Sequence, residues 1–91
     1  MTSGIRIHSR VILKRPYLTE DDVEVAWRNA IAARRRDGED SDSIAAAGAD
    51  NKGRILEMLG TELDDGSVLI FHAMPITKKM MIELGLTQEG C

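Results

Sequence analysis

Aromatic residues are scarce in this chain: Tyr17, Trp27 and Phe71 make up 3% of 91 residues. A platform that stacks several nucleobases is therefore excluded. Cysteine is scarcer still, with Cys91 alone at the last position, so no intramolecular disulfide can form. That fits a reducing cytoplasm. No apolar run approaches 18 residues, and the opening "MTSGIRIHSR" lacks the apolar core of a signal peptide. The expectation is a cytoplasmic bacterial or archaeal protein with no membrane span. Metal-ligand patterns are missing too. There is no HExxH, no CxxC and no calcium loop, because "DGEDSD" lacks the spacing and the bidentate glutamate. Phosphate-loop, dinucleotide and serine-elbow motifs are also absent. No cofactor and no metal site are expected.

What is present suits one small globular domain, 1–91, with 85–91 as a tail. Hydrophobic residues are 43% and charged residues 30%. The net charge is −3, against the basic balance usual for nucleic-acid binders. The charges are segregated, however. "RRR" at 34–36 precedes "DGEDSD", and cations gather at Arg6, Arg10, Lys14 and Arg15 and again at Lys78 and Lys79. Runs of this kind ordinarily lie on solvated surface.

"GIRIHSR" alternates briefly, as a short strand would. "HSRVILKR" reads as a short helix ended by Pro16. The clearest element follows. Thr19 is a good N-cap, Asp22 completes a capping box, and Leu18 and Val23 are spaced as a hydrophobic staple. Val23, Ala26, Trp27, Ala30 and Ile31 keep helical spacing, which predicts a helix from Glu20 to Ala32. "RRRDGEDSDS" reads as a polar loop or the turn of a loose hairpin. "SIAAAGAD", "RILEMLGTEL" and "SVLIFHAM" read as three strands, with "DDG" a tight turn between the last two. Short connections make them an antiparallel meander. Thr77 caps a closing helix, "KKMMIEL", and Gly85 suits its C-terminal cap. The predicted fold is α+β: N-terminal helices covering one face of an antiparallel sheet of three to four strands, with a short C-terminal helix.

The residues with chemical potential are cations and two histidines. Such a set can cleave RNA without metal. A base takes the 2′-hydroxyl proton, and positive charge stabilises the phosphorane. Arginine matches phosphate geometry, and histidine titrates near neutrality. Strict alternation along the third strand puts His72 on one face with Val68 and Ile70. A structural histidine there, a surface Arg54 and a helix-capping His8 are the plainer readings of these residues.

The ordered pieces "RIHSRVILKRPYLTEDDVEVAWRNAI", "IAAAGADNKGRILEML" and "DDGSVLIFHAMPITKK" resemble the BrnT-like toxin family, within the RelE-like ribonucleases of type II toxin–antitoxin systems. The resemblance spans about residues 6 to 84. It implies a RelE-like fold, RNA cleavage that blocks translation, and a small antitoxin partner, often a ribbon-helix-helix protein. It implies a catalytic set of His72, Arg54, His8 and Arg15, with Lys14, Lys78 and Lys79 binding RNA. The chain departs from the pattern after the last strand, where Lys78 and Lys79 stand in for an arginine-and-lysine run. Two readings compete with the ribonuclease: a non-catalytic module of the same fold that docks a small partner protein, and an unrelated α+β protein with only surface clusters. An open sheet edge would also admit pairing with a second copy.

Overall fold

Thr19 begins the best-defined helix as its sequence dictates. The computed structural model describes residues 4–36 and 43–87. Helix α2 spans Glu20–Arg28, and Thr19 and Asp22 close the reciprocal capping box, each hydrogen bond 3.0 Å. Leu18 and Val23 are both fully buried in the main core, as the staple requires. Helix α1 spans Ser9–Lys14 and stops before Pro16.

The strands are β1 (Ile5–Ile7), β2 (Ala30–Arg36), β3 (Ser43–Ala49), β4 (Ile55–Glu62) and β5 (Val68–Pro75). They form one five-stranded mixed sheet in the order β1-β5-β4-β3-β2. The expected antiparallel meander is β3-β4-β5. The α+β class holds; the short strand expected in "GIRIHSR" is β1, and β2 makes a fifth strand beyond the expected three to four. β1 is only three residues long and pairs parallel with the start of β5.

β2 replaces the last turn of the expected helix, from Ala30 onward. Asn29 caps α2, and Ala30 to Arg36 turn to pair antiparallel with β3. The physical reason lies in β3. Ala45, Ala46 and Ala47 are buried, so their backbone polar groups need partners on both sides. That demand overrides the helical spacing of Ala30 and Ile31. The arginines expected in a loop therefore end a strand, while "DGEDSD" and Cys91 lie outside the described residues.

Helices cover both faces of the sheet rather than one. Val11, Leu18, Val23 and Ala26 from the N-terminal part pack on Leu56, Met58, Ile70 and Ala73. α2 approaches so closely that a Cβ at Gly48 would meet the Ala26 carbonyl oxygen at 2.0 Å. Helix α3 (Lys78–Glu83) lies on the other face, tied to it through Glu57 and Arg36. Its C-terminal cap is a Schellman motif. Gly85 at φ +75° donates to Ile82, and Leu86 donates to Met81. Among the described residues no helix is long and apolar enough to cross a membrane.

Candidate functional site

A bulge in β5 decides where His72 points. Leu59 pairs with His72 and Gly60 with Ile70, which leaves Phe71 as an extra residue. Ile70 and Ala73 both face the main core, so the alternation changes phase between them. His72 therefore lies on the opposite face from Val68 and Ile70, contrary to the period-two expectation. There it meets Glu57, whose neighbours Leu56 and Met58 face the core.

Glu57 is nearly buried, with 6% exposed, yet it is fully engaged. Thr77 donates its backbone N–H (2.9 Å) and hydroxyl (2.6 Å) to Glu57 Oε1. His72 Nε2 lies 3.0 Å from Oε2. Burial raises the carboxyl's pKa, but the hydrogen bonds from Thr77 and His72 outweigh it and hold the group below its ordinary value. Glu57 is then a carboxylate, which only accepts. In the neutral imidazole, Nε2 of His72 carries the proton toward Glu57 and Nδ1 is the acceptor. Nδ1 makes no hydrogen bond among the described residues.

His72 borders a cleft of about 280 Å³ between α1 and β5. Its lining includes Arg10, Lys14, Arg15, Phe71 and His72, and among the described residues no carboxylate. β1 pairs only with Val68 to Ile70, so α1 passes over β5 just where the edge becomes free. Arg10 Nε reaches the Phe71 carbonyl at 3.5 Å, and Arg15 Nη2 lies 3.7 Å from Met74 Sδ. Among the described residues, Arg10, Lys14 and Arg15 have no ion-pair partner. Three uncompensated cations and an oriented imidazole thus share one opening, in a chain of net charge −3.

Of the sequence-derived candidates, the structure unites His72, Arg15 and Lys14. Arg54 lies elsewhere, on the α2 side of the sheet. Its Nε donates to Asp50 at 2.7 Å and its Nη2 to Asp22 at 3.3 Å, and it sits 5.8 Å from the centroid of the Tyr17 ring. Asp22 and Asp50 are buried. The Thr19 N–H holds Asp22 below its ordinary pKa against the cost of burial, with help from Lys52. Burial works to raise Asp50, and hydrogen bonds from the N–H groups of Arg54 and Lys52 and the Arg54 side chain overcome it. Arg54 is thus the counter-ion of two buried carboxylates. His8 caps α1, with Nδ1 accepting from the Arg10 N–H at 3.1 Å. Lys79 borders a second hollow beside α3, and Lys78 is exposed in the first turn of that helix.

Sequence reasoning missed Glu57, Arg10 and Phe71 as parts of the site. Arg10 was visible within the N-terminal cation cluster, four residues before Lys14 and one helical turn away. For Glu57 the one signal was a lone acid inside an apolar strand. Among the described residues, no three His, Cys, Asp or Glu side chains gather as a metal site. No family model matches the chain, and comparison with curated proteins and with solved structures finds no match.

Proposed function

We propose that this chain is the toxin of a type II toxin–antitoxin pair, a RelE-like, BrnT-like ribonuclease that blocks translation in the cytoplasm without a metal ion. The observation that carries the reading is the cleft of Arg10, Lys14, Arg15 and His72, with no acid in its lining among the described residues. The resemblance in motif order supports the family, and a small antitoxin, of ribbon-helix-helix type, is the implied partner.

In this mechanism Nδ1 of His72 takes the proton of an RNA 2′-hydroxyl. The freed oxygen attacks the adjacent phosphorus, and the bond to the 5′-oxygen breaks. The products are a 2′,3′-cyclic phosphate and a 5′-hydroxyl that takes its proton from water. Arg10 and Arg15 hold the phosphate and offset the charge that grows on its oxygens. Lys14 adds attraction for the neighbouring phosphate. Glu57 keeps the imidazole in the tautomer that exposes Nδ1.

Incubation of labelled RNA with the protein in EDTA tests this. Wild type yields fragments ending in 2′,3′-cyclic phosphate, and His72→Ala and Arg15→Ala lower the rate at least about a hundredfold. Wild-type protein without cleavage, on free RNA or with ribosomes, overturns the reading.

A second reading, a non-catalytic module of the same fold, is favoured by one observation. The arginine that the family pattern would use, Arg54, spends its charge on Asp22 and Asp50. On that reading the free protein binds a small partner tightly and leaves RNA intact.

A further inference from the structure

The cleft is the first of three neighbouring hollows that share lining residues. Leu59 is shared with a second, of about 170 Å³, which lies beside α3 and includes Lys79 and Arg36. Arg36 and Glu83 are shared in turn with a third, of about 340 Å³, lined by Arg34, Arg35 and Arg36. Sheet register explains the alignment. His72 pairs with Leu59, Leu59 with Ala45, and Ala45 with Arg34. Directly paired residues share a face, so His72 and Arg34 end one row, three strand spacings or about 14 Å apart.

The charge along this row is one-sided. Among the described residues two carboxylates line the hollows, and both are already engaged. Glu57 is held by Thr77 and His72. Glu83 takes a bidentate bond from Arg36, at 2.7 and 2.6 Å. The Arg36 bond is also the main cause that lowers the Glu83 pKa, with Arg34 and Lys79 adding to it. Arg34 and Lys79 have no ion-pair partner among the described residues. Both lie near the Glu83 carboxylate without an ion pair among the described residues, and they extend the positive charge beyond the cleft.

We infer that the site continues as a track for a single RNA strand, running from His72 past Lys79 to Arg34. The inference rests on the ribonuclease reading and assigns it a substrate class, a single strand longer than a dinucleotide. A row of separate cations over about 14 Å matches a chain of repeating phosphates better than one small anion. Phe71 is the one aromatic residue in the hollows' lining among the described residues. Binding therefore rests on backbone charge, which makes it tolerant of base sequence and sensitive to salt.

The experiment measures fluorescence anisotropy with 5′-labelled, uncleavable 2′-O-methyl oligouridines, two and eight nucleotides long. Wild type is compared with Arg15→Ala and with Arg34→Ala/Lys79→Ala, after circular dichroism shows that each is folded. Wild type binds the eight-mer more tightly than the two-mer by about tenfold or more. The double variant keeps wild-type affinity for the two-mer and loses most of that gain. Its salt slope for the eight-mer falls by about 1.4, for two lost phosphate contacts on a single strand. Arg15→Ala weakens both oligonucleotides. If both lengths bind wild type equally, the track is wrong and the cleft stands. The same holds if the double variant binds the eight-mer as wild type does. Binding of neither oligonucleotide overturns the ribonuclease reading along with the track. Tighter binding of an RNA duplex, or of an acidic peptide, also overturns the track.

Discussion

Glu57 and His72 lie diagonally across the β4–β5 ladder, with Oε2 and Nε2 3.0 Å apart, and Thr77 joins the same carboxylate from the turn that opens α3. One buried acid therefore links the imidazole of the cleft to the docking of the C-terminal helix. Replacing Glu57 with Leu strips the Thr77 N–H and hydroxyl of their acceptor. The expected cost is about 2–3 kcal/mol, from donors left unsatisfied. Urea unfolding measures it. A loss well under about 1 kcal/mol would mean that Thr77 finds water instead.

Arg54 makes the opposite case, a cation with a structural duty. Arg54→Ala leaves Asp50 without its charged partner and Asp22 with Lys52 alone. An expected destabilisation of about 3 kcal/mol follows from an uncompensated buried carboxylate. Cleavage per folded molecule, assayed well below the melting temperature, stays within about twofold of wild type, because one-third of a tenfold energy step is the usual scatter between distant sites. A large loss of cleavage in a folded variant would return Arg54 to the site.

Acid should weaken the fold in a defined window. Asp22, Asp50 and Glu57 all have folded pKa values below their unfolded ones. A depressed pKa contributes stability that is complete above the unfolded value, about 4 for these groups. It is lost as pH falls through the folded value. Urea midpoints should be nearly level from about pH 7 to 5 and drop steeply below about pH 4. A steady decline that starts near neutrality would contradict this assignment.

Gly48 is expected to be intolerant of any side chain. Its Cβ would lie 2.0 Å from the Ala26 carbonyl oxygen, and backbone cannot swing aside as a side-chain tip can. Gly48→Ala should cost about 3 kcal/mol or more, the upper range for overpacking. Thermal melting reads the loss. A variant as stable as wild type would show that α2 can lift from β3 at little cost.

Legibility from sequence followed the locality of each signal. The start of α2 was readable because Thr19, Asp22, Leu18 and Val23 act within one turn of helix. The α3 caps at Thr77 and Gly85 were readable for the same reason. β2 was not, because Ala30 and Ile31 fit a helix, and only the unpaired edge of β3 calls them into the sheet. The orientation of His72 was hidden by one extra residue, Phe71, which no period-two count detects. Glu57 gained its meaning only when Thr77 and His72, distant in sequence, converged on it. Arg54 looked as useful as Arg15 because sequence does not show which arginine faces buried acids.

On the proposed reading, RNA phosphate is held between α1 and β5. Titration of ¹⁵N-labelled protein with an uncleavable 2′-O-methyl oligouridine, followed by amide and side-chain NMR shifts, tests it most directly. The largest changes should fall on Arg10, Lys14, Arg15, Phe71 and His72. Changes centred on Lys52 and Arg54, or no saturable changes at all, would contradict it.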